Sequence, residues 1–142
     1  MKQLFFILFA VLFMSCNSTK EEAKVEITPA KNFYKQSEMA ALMLLMYEKN
    51  EENKKLILAG KSPKEFPEEF LKIHTAQLTD STDRNQNFEA FSKYYIKSIK
   101  QVFSSPQDSL IENHNTAINS CIACHETTCV GPIPRIKKLL IQ

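Results

Sequence analysis

The sequence predicts an all-α fold, an antiparallel bundle of four helices. Three observations point there. Gly60 and Gly131 are the only glycines in 142 residues, too few for the turns of an all-β chain of this size. Four stretches carry apolar residues at helical spacing, each with one face suited to burial. The links between them are short and polar, which suits antiparallel neighbours.

The chain opens with a segment expected to direct export rather than to fold. Lys2 gives a positive start, and Leu4 to Met14 is an apolar run too short to span a bilayer as a helix. Ser15-Cys16 follows, a small residue before a cysteine, and the pattern resembles the lipobox of bacterial lipoproteins. The resemblance implies that residues 1–15 are a lipoprotein signal peptide and that Cys16 is lipidated and becomes the mature N-terminus. A plain secretory signal cleaved elsewhere and an uncleaved anchor are the alternatives. Two or more acyl chains hold a protein stably to a membrane, whereas one gives marginal binding. Residues 16–31 read as a polar, flexible tether, and 32–142 as the folded helical domain. Lys20-Glu21-Glu22 resembles a surface-export signal of flavobacterial lipoproteins, so the expected location is a bacterial cell envelope, periplasmic or surface-exposed.

The first helix is expected from about Asn32 to Ala59, with Met39, Leu42, Met43 and Met46 on one face and Gly60 as C-cap before Pro63. A second, shorter helix starts near Pro67 and carries Phe70, Ile73, His74 and Leu78. Asp80 to Asn87 reads as a polar loop. The third helix, Asn87 to Ser104, sets Phe88, Phe91, Tyr95, Ile99 and Val102 against Lys93, Lys97 and Lys100. The fourth is expected to begin with Ser105 as N-cap and Pro106 at the first helical position, and its stripe runs Leu110, Ile111, His114, Ala117, Ile118, Cys121, Ile122, His125. Net charge is only +2 with mixed signs, so no nucleic-acid footprint is present.

The chemistry is concentrated at the end of that last helix. Cys121-Ile122-Ala123-Cys124-His125 matches the c-type haem attachment motif. Two thiols three residues apart lie on one side of a helical turn, so each can reach a vinyl group of one porphyrin. The following imidazole then becomes the proximal iron ligand. With 4 Cys and 3 His in 142 residues, chance would produce the pattern in only about 0.002 of such sequences. The expectation is one covalently attached haem c. The alternative is a haem-free lipoprotein, either with a Cys121–Cys124 disulfide or with zinc on Cys121, Cys124, His125 and Cys129.

A helical chain with this motif near its C-terminus resembles the cytochrome c′ group, over roughly Asn32 to His125. Lys35-Gln36-Ser37 followed by Met39 is similar to the start of that group's first helix. The resemblance implies that this helix supplies the residue above the distal haem face. Members with an apolar residue there are five-coordinate and bind nitric oxide or carbon monoxide, and relatives with methionine are six-coordinate electron carriers. The chain departs from the group in its short second helix and in continuing past the motif, which looks like a flavobacterial variant.

The sixth ligand decides the function, because a methionine opposite histidine suits electron transfer. Met39 is favoured by the resemblance, Met43 is the alternative one turn on, and Met46 shares their face. All three also serve as core filler in the plainer reading. His114 shares a helix with His125 and cannot cross to the distal face, and His74 is read as a surface or capped histidine. Arg135 is a candidate partner for a haem propionate, with a solvated basic face as the equal alternative, which is preferred for Lys137 and Lys138. Cys129 is expected to be a small buried residue closing the loop before Gly131; an intermolecular disulfide and a homodimer are alternatives. No acid–base or nucleophile constellation is visible, so the chain is expected to be no enzyme but a membrane-anchored carrier of single electrons between redox partner proteins.

Overall fold

The computed structural model describes residues 35–142; the expected signal peptide and tether, with Cys16, lie outside them. Among the described residues the structure is all-helical, with no strand. Three long helices dominate: α1 (Glu38–Leu58), α2 (Gln86–Ser104) and α3 (Leu110–Thr127), followed by the one-turn α4 (Ile133–Ile136). Short 3-10 helices occupy Glu68–His74, Ser81–Asp83, Gln107–Ser109 and Lys137–Leu139.

Local chemistry sets most of the boundaries. Ser37 caps α1 by accepting from the Ala40 amide at 3.1 Å. At the other end Gly60 takes φ +69°, the left-handed conformation expected of it, and the Lys61 amide reaches back to the Leu56 carbonyl at 2.9 Å while Gly60 bonds Ile57. Asn85 caps α2 through the Phe88 amide at 3.1 Å.

Three expected elements differ. The first helix starts at Glu38, after the extended Ser37, rather than near Asn32. The second helix is a 3-10 helix of seven residues, Glu68–His74, with Phe70 and Ile73 buried. Residues three apart eclipse one another in a 3-10 helix, so the Phe70–Ile73 pair fits that winding as well as an α-helix. Leu78 falls beyond its end and is half-buried. Ser105 is not the N-cap of α3. Its hydroxyl donates to the Gln101 carbonyl at 2.6 Å, closing α2, and the chain passes through the 3-10 turn Gln107–Ser109 before α3 begins. The acceptor left open at the end of α2 wins the serine, because the final carbonyls of a helix have no partners of their own.

α2 and α3, joined by residues 105–109, form a helical hairpin with the most extensive packing among the described residues. Phe70, Ile99, Leu110, Ala117 and Ile118 are fully buried. α1 closes this core with Met39, Leu42, Met46 and Ile57, and Asn50 Nδ2 ties it to α2 by donating to the Tyr95 hydroxyl at 3.1 Å. A second, smaller cluster joins Ile118 and Ile122 of α3 to Ile136 and Leu139 of the C-terminal segment. Cys121 is packed against both clusters.

Candidate functional site

The last two turns of α3 carry Cys121, Cys124 and His125. Each is half-buried, at the margin of the core. Cys121 Sγ donates to the Ala117 carbonyl at 3.4 Å, one turn earlier. Burial pushes its pKa up to about 12, and the neighbouring Cys124 adds to the rise. Burial also raises Cys124. Since the thiolate is the reactive form of cysteine, both side chains are held as protonated thiols, and both are free of a disulfide.

His125 is bracketed by the residue four places on. The Cys129 amide donates to the His125 backbone carbonyl at 3.1 Å, and the Cys129 carbonyl lies 2.8 Å from His125 Nδ1. A carbonyl oxygen only accepts, so Nδ1 must carry the proton, and in the neutral ring Nε2 keeps its lone pair. Metal-binding histidines share this arrangement, with the second nitrogen donating to a backbone carbonyl that fixes tautomer and ring orientation. Cys129 itself is exposed rather than buried, contrary to the expectation from the sequence. Its contribution runs through the backbone, which a small residue just past a helix end can supply without burying its side chain.

Two tyrosines share surroundings with Cys121. Tyr47 of α1 packs into the smaller cluster with Cys121, and the Arg135 guanidinium lies 4.1 Å from the centre of its ring. Arg135, exposed to solvent, is held against Tyr47 by this cation–π contact. Tyr95 of α2 is buried, and its hydroxyl pKa rises well above the ordinary value through burial first and the nearby Cys121 second. Neither tyrosine was singled out by the sequence. Tyr95 sat in an apolar stripe, and Tyr47 lies beside one.

Met39, Met43 and Met46 all belong to the core cluster that also touches Cys121, the first and last of them buried. The Met39 amide bonds the Gln77 carbonyl at 3.0 Å, which fixes the start of α1 against the segment after the first 3-10 helix. His74 stands elsewhere, half-buried with Nδ1 3.4 Å from the Ser92 hydroxyl. His114 is fully buried, and Nε2 bonds the Leu139 carbonyl at 2.9 Å. Lys137 and Lys138 are exposed.

Among the described residues, no three His, Cys, Asp or Glu side chains converge on a common point. The four zinc donors weighed from the sequence are therefore not gathered, and what the site offers instead is two thiols and one oriented imidazole. No helix among the described residues is long and apolar enough to cross a membrane. No family model matches the sequence, and no curated protein or solved structure shows significant similarity to it.

Proposed function

We propose that this chain is a membrane-tethered monohaem c-type cytochrome that carries single electrons in a bacterial cell envelope. The observation that carries the reading is the His125 ring, whose Nδ1 is engaged by the Cys129 carbonyl at 2.8 Å so that Nε2 is available to iron, on the same helical turn as two protonated thiols. Cys121 and Cys124 would hold the porphyrin through thioethers, and His125 would be its proximal ligand. The group supplies, when bound, a one-electron ferric–ferrous couple. The chain's own residues set its surroundings. Burial keeps both thiols from disulfide exchange until they are used. The Cys129 carbonyl fixes the ring plane and makes the imidazole a better donor. Arg135, beside Tyr47, supplies an exposed positive charge that suits a propionate.

The methionine face of α1 favours a six-coordinate carrier over an open, gas-binding iron. Met39 is the ligand the family resemblance implies, with Met43 as the alternative one turn on and Met46 on the same face, and all three pack in the cluster that Cys121 borders. The three long helices and the 3-10 segment are read as a shortened relative of the cytochrome c′ bundle, extended by the residues after Gly131. Lipid on Cys16 would provide the tether, and redox proteins of the same envelope are the partners.

Expression in a host with haem-maturation machinery tests this directly. The purified chain should be coloured, with haem that stays attached on denaturation, and Cys121→Ala with Cys124→Ala should abolish the colour. A ferrous low-spin spectrum indifferent to carbon monoxide identifies a protein sixth ligand, and Met39→Ala, Met43→Ala and Met46→Ala assign it. A carbon monoxide adduct of the unaltered protein would favour the gas-binding alternative, and a colourless product would remove haem altogether.

A further inference from the structure

Residues 133–142 form a strap whose backbone is held largely by side chains of other elements, and its behaviour is independent of the haem reading. Asn115 of α3 grips Ile141 at two points, with Oδ1 accepting from the Ile141 amide at 2.9 Å and Nδ2 donating to its carbonyl at 2.8 Å. Lys54 of α1 donates to the carbonyls of Lys138 at 2.9 Å and Leu140 at 2.7 Å. Between them His114 Nε2 meets the Leu139 carbonyl at 2.9 Å. Ile136, Leu139 and Ile141 are buried beneath these bonds. Ile136 and Leu139 cover Ile118, Ile122 and one flank of Cys121.

His114 is the singular member of this clasp. Because the Leu139 carbonyl only accepts, Nε2 carries the ring proton, and Nδ1 is an acceptor. That nitrogen is buried and has no partner. The one charged group acting on the ring is Lys54 of α1, which is of the same sign as a protonated histidine. Lys137 and Lys138 of the strap itself are exposed, and no carboxylate acts on the ring. A second proton on His114 would therefore sit in the interior, unpartnered, beside an ammonium group.

The geometry points to a proton-gated clasp, in which uptake of a solvent proton at His114 Nδ1 releases residues 137–142 and uncovers the part of the Ile118–Ile122 face that Leu139 covers. Only hydrogen bonds and apolar contacts break in this step. The direction follows from linkage. Burial first, and Lys54 after it, lower the pKa of the docked ring below its ordinary 6.5, the bond to Leu139 opposing them. The docked strap thus binds fewer protons than the released one. Docking is at full strength above the ordinary histidine range and weakens as pH falls below it.

Hydrogen exchange on the full chain, read at single amides by NMR at pH 7.5 and pH 5 and corrected for intrinsic rates, measures the opening. The Ile141 amide should lose protection in acid, by up to about 30-fold for a group that titrates normally only when released. The Ile99 amide in the fully buried core should hold its protection. In His114→Gln, whose amide can still donate to Leu139, the acid loss at Ile141 should disappear. Equal Ile141 protection at both pH values in the unaltered chain would overturn the proposal, whatever the variant does. So would an unchanged pH response in His114→Gln, or loss of Ile99 protection in step with Ile141.

Discussion

The helical hairpin and the C-terminal strap lie on the two sides of Cys121 and are held by different forces. Between α2 and α3 the backbone polar groups bond within each helix, so the interface needs only fitted apolar surface, and Ile99, Leu110 and Ala117 supply it without exposure. The strap, with one turn of α-helix and one of 3-10, leaves its last carbonyls and amides to find partners elsewhere. His114, Asn115 and Lys54 provide them. Polar residues on the inner faces of α1 and α3 are the consequence of burying an irregular segment against helices. The hairpin should accordingly fail through lost packing, and the strap through lost hydrogen bonds or a changed charge.

The largest contrast across Cys121 is chemical. In chain made without haem loading, the exposed Cys129 should alkylate readily at pH 8, while a Cys121 thiol held near about 12 is ionised in only about one molecule in 10,000. Peptide mapping after brief iodoacetamide treatment should show Cys129 labelled at least a hundredfold faster than Cys121. Similar rates would mean that the burial raising Cys121 does not persist in solution.

Packing comes next. Phe70→Ala removes a fully buried ring that contacts Phe66 edge-on and lies near Tyr95, and should cost about 3–5 kcal/mol in urea denaturation. Asn115→Ala removes both bonds to Ile141 and should cost a smaller amount, about 1–3 kcal/mol. Its signature should be local, with Ile141 losing amide protection and Ile99 keeping it. A uniform loss across both regions would show that strap and hairpin open as one unit.

The hairpin was legible in the sequence for the reason that makes it stable. Phe88, Tyr95, Ile99 and Val102 repeat at the helical period because one face does all the burying, and each is buried. Ser37 and Gly60 mark their helix end in the way their types predict. The motif of Cys121, Cys124 and His125 was legible as spacing alone. Its completion by the Cys129 carbonyl was not, because a backbone acceptor leaves no trace in residue type. The strap was hidden for the same reason. Ile136 and Leu139 could be read as a last amphipathic turn, but nothing in His114 or Asn115 says that a carbonyl 25 or 26 residues away will be its partner. The second helix misled because Phe70 and Ile73, three apart, satisfy two windings at once.

Asn50 and Asn53 sharpen the comparison with the smallest effect and an opposite sign. Both are buried on the inner face of α1, continuing the line of Met39, Leu42 and Met46. Asn50 uses its amide twice, donating to the Met46 carbonyl at 2.7 Å and to the Tyr95 hydroxyl at 3.1 Å, although its Oδ1 has no partner. Asn53 Nδ2 is buried with no partner at all. A buried polar group that makes no bond carries its desolvation cost without return, whereas an apolar replacement of similar size removes that cost. Asn53→Leu should therefore be neutral or stabilising, within about 1 kcal/mol, while Asn50→Leu should destabilise by leaving the Tyr95 hydroxyl without its donor. Matched urea curves for the two variants decide it. If Asn53→Leu instead costs as much as Asn50→Leu, then Asn53 has a polar partner in solution, and the bonding face of α1 extends one turn further, through Asn53.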